Sequence, residues 1–142
     1  MKSTNLTLVS LFALLLGLVP LFGQAGGHGE GDAKGAAYPG YLALEPALVV
    51  NLASERRTKY LRVDIQFYLE TSHDADLVTL HMPLIRNRMI TLLGGRQADQ
   101  IMSMEAREQL RAELLEKLRA TMAEETGVPA ISALYFTGFI IQ

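Results

Sequence analysis

Apolar and polar residues along this chain fall into blocks of different period. The sharpest block is residues 61–70, where Leu61, Val63, Ile65, Phe67 and Leu69 alternate with Arg62, Asp64, Gln66, Tyr68 and Glu70. A period of two with one apolar and one polar set predicts a strand with one wet face. Upstream, Tyr41 to Asn51 (YLALEPALVVN) reads as a second strand. Pro46 marks an edge position, a bulge or a break in it, because proline has no N–H to give to a ladder. The polar run Ala53 to Arg57 joins the two, which argues an antiparallel hairpin.

From Ser72 the period changes to that of a helix. Ser72 is an N-cap candidate, and Asp74 and Asp76 follow in the first turn, where carboxylates favour the helix dipole. Leu77, Leu80, Met82, Leu84, Ile85, Met89 and Leu92 recur at helical spacing until Gly94-Gly95. Pro83 removes the N–H that would bond to Thr79, so the spacing predicts a kink or a break into two helices there. Residues 96–102 leave room for one more turn. Ser103 then caps a second long helix, with Glu105 in its first turn. Leu110, Leu114, Leu118 and Met122 form a narrow apolar stripe at i, i+4, i+8 and i+12, with Leu115 alongside. Glu113 and Lys117 stand in the favourable order for a pair worth roughly 0.2–0.5 kcal/mol. Gly127 followed by Pro129 stops the helix.

The stretch Ile131 to Gln142 (ISALYFTGFIIQ) is aromatic, β-branched and uncharged. Such a segment left free is an aggregation template, so it is expected to be a buried strand. Read in strict alternation, both of its faces are apolar: Ala133, Tyr135, Phe139 and Ile141 on one, Leu134, Phe136 and Ile140 on the other. That pattern predicts cover on both faces. Hairpin and helices together make an α+β fold: an antiparallel sheet with two long helices on one side.

The remaining periodicity lies at the N-terminus. Leu6 to Phe22 is apolar apart from Thr7, Ser10, Gly17 and Pro20, and is preceded by one cation, Lys2. As a helix it reaches about 25 Å, short for a bilayer span and long for a signal-peptide core. Two readings therefore stand for residues 1–25: a transmembrane anchor, or a signal peptide cleaved after Ala25 in the context of Pro20, Gly23 and Ala25. In both, Lys2 keeps the N-terminus in the cytoplasm and the rest of the chain crosses. Residues 26–40 belong to a Gly-rich stretch without period and read as a flexible linker. Residues 41–142 are the single domain.

Composition narrows the function. The 142-residue chain has no cysteine, hence no disulfide framework, thiolate metal site, thiol nucleophile or acylated lipobox. Thirteen Lys and Arg against fifteen Asp and Glu lack the basic excess that binding to nucleic acid requires. His28 stands alone among glycines without ligand spacing. His73, Asp74, Asp76 and His81 form the one cluster that hints at a metal or acid–base site, but His73 and His81 do not share a helix face. There is no nucleophile elbow, phosphate loop or H-E-x-x-H motif. The sequence thus implies neither an enzyme nor a cofactor. Met82, Met89, Met102, Met104 and Met122 suit core filling or an adaptable partner surface. Arg86 and Arg88 are either snorkelling cations or contacts to a neighbouring subunit.

Three segments carry a family resemblance. The ending ALYFTGFIIQ, the Leu-Glu-Pro…Val-Val-Asn-Leu strand followed by Tyr60-Leu61-Arg62-Val63, and Met82-Pro83-Leu84-Ile85-Arg86-Asn87 together resemble the flagellar basal-body family FliL across Tyr41 to Gln142. Its signature positions here are Pro83, Ile85, Tyr135, Phe136, Phe139 and Gln142; Asn87 stands where the family more often has aspartate. The resemblance implies a stomatin-like fold and a non-enzymatic motor accessory protein without cofactor. It also implies a single-pass inner-membrane protein anchored through residues 6–22, with a periplasmic domain. Its implied partners are stator and basal-body proteins, with further copies in a ring, and its implied role is support of rotation, torque, swarming and chemotactic motility. Arg86 and Arg88 become candidate subunit or stator contacts. The competing reading is a secreted, soluble periplasmic binding or chaperone-like module using a helix–sheet cleft. Removing Phe139 to Gln142 is expected to unfold the domain, which loss of a cooperative thermal melt would register.

Overall fold

The computed structural model describes residues 37–142; the anchor or signal segment and most of the linker lie outside them. Strands β1 (Gly40–Ala43), β2 (Leu48–Leu52), β3 (Lys59–Leu69) and β4 (Ala133–Ile141) form one antiparallel sheet. Helices α1 (Ser72–Leu80), α2 (Met82–Leu93) and α3 (Met104–Thr126) pack on it, with a single 3-10 turn at Asp99–Ile101. The fold is α+β, as the pattern predicts.

β3 is the axis of the sheet. Its first half pairs with β2 (Leu48 opposite Val63) and its second half with β1 (Leu42 opposite Phe67), both on the same side, while β4 runs along the whole of its other side. The expected single strand from Tyr41 to Asn51 is therefore two, broken around Pro46. Leu44 bridges the gap by donating its N–H to the Ile65 carbonyl at 2.9 Å. The alternation in β3 holds throughout: Leu61, Val63, Ile65, Phe67 and Leu69 are buried beneath the helices, and the residues between them face away.

The helices supply the cover with stripes at helical spacing: Ala75 and Val78 from α1, Ile85, Met89 and Leu93 from α2, Leu110, Leu114, Leu118 and Met122 from α3. The break expected at Pro83 occurs at His81, so proline falls in the first turn of α2, where its missing N–H costs nothing. Leu80, expected on the apolar stripe, lies exposed at this break. Ser103 caps α3, its hydroxyl accepting from the Ala106 N–H at 3.0 Å, and Gly127 ends it in the left-handed conformation at φ 77°. Two local expectations are corrected. The cap of α1 is Thr71, not Ser72, its hydroxyl accepting from the Asp74 N–H at 3.1 Å. Glu113 pairs with Arg96 at 2.6 Å rather than with Lys117, because Arg96 is fixed beside it by a 2.7 Å bond to the Leu92 carbonyl.

The largest departure concerns β4. Among the described residues it is an edge strand, paired only with β3, and Leu134 is its only buried residue. Among the described residues only one face is covered, and the strand does not alternate strictly. The ladder with β3 shifts register between Asp64 and Ile65, leaving Thr137 as an extra residue. Across this bulge the phase inverts. Leu134 and Phe136 before it, and Phe139 and Ile141 after it, oppose the buried residues of β3; Ala133, Tyr135, Gly138 and Ile140 oppose the outward ones. Each apolar set read from the sequence thus mixes both faces: Leu134, Phe136, Phe139 and Ile141 form the helix-facing set, and Ala133, Tyr135 and Ile140 lie on the other face.

Gly138 follows that bulge because space is short. A Cβ there would fall on the Asp64 carboxylate, 3.1 Å from its Cγ and 3.3 Å from its Cβ. We expect Gly138→Ala to destabilise the domain by about 1–3 kcal/mol through overpacking. The cost should shrink in the Asp64→Ala background if the clash is its cause. Urea melts of the four variants measure the coupling, and equal costs in both backgrounds would refute it.

Candidate functional site

The expected site residues scatter over several elements. Ile85 is buried in the core, while Pro83 is exposed at the start of α2. Arg86 donates from Nη2 to the Pro46 carbonyl at 2.7 Å, clasping the break between β1 and β2. Arg88 is exposed. Gln142 is tied into the sheet: its N–H donates to the Tyr60 carbonyl and its carbonyl accepts from the Tyr60 N–H, both at 2.9 Å. Asp74 serves the cap of α1, accepting from the Thr71 hydroxyl at 2.6 Å. Among the described residues no group of three His, Asp or Glu could hold a metal ion. The methionines divide: Met89 and Met122 are buried core, Met82 packs against it, and Met102 and Met104 are exposed.

What the fold does assemble is a pair of adjoining surfaces. The first is the face of the sheet turned away from the helices. Tyr41, Val49, Tyr60, Tyr135 and Ile140 all lie on it and are 44–61% exposed. Tyr41 sits between Tyr68, at 5.2 Å between ring centroids, and Tyr135, at 6.0 Å, making a three-ring cluster across β1, β3 and β4. Arg62 and Asp64 form a 3.4 Å ion pair on the same face. Exposed tyrosines and aliphatic side chains set around a charge pair on the central strand are the composition of a docking face.

The second surface is the margin where α3 overhangs β4. Arg107, Arg111, Leu115 and Arg119 recur every four residues beside the buried leucine stripe. Arg111 Nη1 donates to the Leu134 carbonyl at 3.2 Å and Arg119 Nη1 to the Ile131 carbonyl at 2.7 Å, so these side chains staple the helix to the incoming strand. Arg107 lies over the Phe139 ring, 4.6 Å from its centroid, and Phe139 packs on Phe136 at 5.3 Å. Between helix and strand runs a groove of about 730 Å³, lined by Met104, Leu115, Phe136 and Phe139 with Arg107, Glu108 and Arg111 on its helix side. The arginine spacing is the sequence signal for this margin, overlooked beside the stronger leucine period.

Glu108 accepts from Arg111 Nε on both carboxylate oxygens, at 3.0 and 2.9 Å. That hydrogen bonding, against a smaller opposing effect of burial, holds the Glu108 carboxyl below the ordinary glutamate range and raises Arg111. A carboxyl with a depressed folded-state pKa contributes stability that is present above its unfolded pKa and is lost as pH falls through the folded value. Wild type should therefore lose more stability on acidification than Glu108→Gln, by a small margin because the pair is exposed. Urea midpoints at neutral and acidic pH test this; parallel acid profiles would contradict it.

Comparison with known proteins addresses the same span. The family described as "Flagellar basal body-associated protein FliL" matches residues 41–142. A flagellar protein FliL of Aquifex aeolicus is 33% identical over 99 residues, covering 70% of this chain and 59% of the relative, so the chain spans about three fifths of that relative's length. With 41–142 matched, all three helices and all four strands, apart from Gly40 at the start of β1, fall inside the matched span. The chain belongs to the FliL family of flagellar basal body-associated proteins.

Proposed function

We propose that this protein is an accessory component of the flagellar motor that acts by docking: it associates with the stator, assembles with further copies in a ring, and supports rotation, torque, swarming and chemotactic motility. The family match over 41–142 carries this reading. The tyrosine-rich bare face is its physical support, since a domain that works by contact needs surface its own helices leave uncovered. Among the described residues no helix is long and apolar enough to cross a membrane. In this reading the apolar run of residues 6–22 is retained as a single inner-membrane span, and the domain stands in the periplasm at the end of the linker. Arg88, exposed on α2, contributes a subunit or stator contact; Arg86, also placed at that contact, keeps its bond to Pro46 as well.

Deletion of the gene should reduce swimming or swarming, and crosslinking from the intact protein should recover stator components. Normal motility together with the absence of stator crosslinks would reject the role. Detergent should be required to extract the full chain, whereas a mature mass beginning at Gly26 would replace the anchor with a cleaved signal. Arg88→Glu should weaken assembly or motility without lowering thermal stability, because its side chain makes no bond within the described residues. Unchanged assembly and motility would remove it from the interface.

A further inference from the structure

The two edges of this sheet are treated differently. On the β2 side the end of the margin is covered: Gly95 donates its N–H to the Asn51 carbonyl at 2.9 Å, Ala53 donates to the Arg96 carbonyl at 2.9 Å, and Ala53 bridges Gln97. β1 is four residues long and ends near Pro46. On the other side β4 has no strand beyond it among the described residues. Its polarity can be read from the ladder. Tyr60 and Gln142 exchange both backbone hydrogen bonds. In an antiparallel pair bonded and non-bonded pairs alternate, so Ile140 and Gly138 also face β3, and the N–H and C=O groups of Phe139 and Ile141 point outward. The Leu134 carbonyl, nearer the start of the strand, is taken by Arg111.

That open backbone runs beside the groove under α3. An added strand would place alternate side chains among Met104, Leu115, Phe136 and Phe139 and offer its backbone to Phe139 and Ile141. Charge selects what fills it. Arg111 is matched by Glu108, and Arg107 has no carboxylate partner among the described residues. A second copy is a poor occupant. Head-to-tail sheet continuation would need a long free edge on the opposite side, where β1 and β2 are four and five residues long, broken around Pro46, and the end of β2 is covered. A two-fold pairing of β4 with β4 would bring the unmatched Arg107 of each copy toward the same flank of the other, where it meets no free carboxylate because Glu108 is held by Arg111.

We propose that the open edge of β4 captures an extended peptide from another protein, apolar at alternate positions and carrying a carboxylate that meets Arg107. The inference deepens the docking role proposed above and rests on it, by giving one partner its chemistry.

The test uses the full chain in detergent micelles and a fluorescent synthetic peptide of alternating valine and threonine with one glutamate. Binding should saturate, and should weaken by about tenfold or more when the glutamate is replaced by glutamine or the protein carries Arg107→Glu. Arg107→Gln, which removes the charge without reversing it, should weaken it in the same direction. A lysine version of the peptide should prefer the Arg107→Glu protein. Amide exchange at Phe139 and Ile141 should slow on binding. Equal binding of the glutamate and glutamine peptides would overturn the proposal. So would protection of Phe139 and Ile141 that rises with protein concentration alone, the sign of a second copy at this edge. The peptide assay does not involve motility, so it can fail while the motor role holds, and the reverse.

Discussion

The structure depends on one strand having two different faces. β3 pairs with every other strand of the sheet, and its inward residues carry the centre of the core with Leu61, Val63, Phe67 and Leu69 fully excluded from solvent. Fully burying each such side chain contributes about 1.5–3 kcal/mol. Because the alternation is strict, the opposite face is fixed at the same moment. Arg62, Asp64, Gln66 and Tyr68 cannot be covered by a further apolar layer without desolvating a charge pair. All three helices are consequently committed to one side, and the other is left for solvent or a partner. The bare tyrosine face follows from how the core is made.

The same economy of cover explains the margin at β4. α3 directs Leu110, Leu114, Leu118 and Met122 straight into the core, so the neighbouring stripe necessarily points along the sheet toward β4. Arginine suits that position. Its guanidinium can lie over an aromatic ring, as that of Arg107 does on Phe139, or reach a backbone carbonyl in or just before the strand, as those of Arg111 and Arg119 do. Bonds from a charged donor are worth about 1.5–3 kcal/mol when enclosed and less at an exposed margin such as this one. They position the strand more than they stabilise it.

Elements set by local chemistry were legible in the sequence: the alternation of β3, the proline break after α1, the Ser103 cap, the glycine stop of α3 and the leucine stripe. Each is decided by residues within a turn or two of one another. What escaped was decided across the fold. The bulge at Thr137 exists because β4 is held against β3 on both sides of it, and a lone glycine in an apolar strand was its only local sign. Glu113 chose Arg96, seventeen positions away, over the helical neighbour Lys117. Of the candidate contacts, Arg86 was visible as a cation but its bond to the Pro46 carbonyl required knowing that α2 crosses the break between β1 and β2. The Arg107, Arg111 and Arg119 series was written at plain helical spacing. Its meaning appeared only once β4 was seen to be an edge.

An edge strand usually carries its own protection: a charge, a proline, a short length or a covering segment. Residues 133–141 of this chain contain no Asp, Glu, Lys, Arg or Pro, and nine residues make β4 longer than β1 or β2. The opposite margin has three of those devices in a shorter stretch: Pro46, the brevity of β1, and the segment Gly95 to Gln97 laid over β2. The protein therefore can blunt an edge and does so where the sheet ends without purpose. The bulge twists β4 locally but leaves Phe139 and Ile141 beyond it in regular register with β3. Stability does not account for this asymmetry, because a lysine at Ile140, on the bare face, would guard the edge without touching the core. An edge left open among the described residues, beside an arginine with no carboxylate among them, is the arrangement expected where the missing strand comes from another molecule.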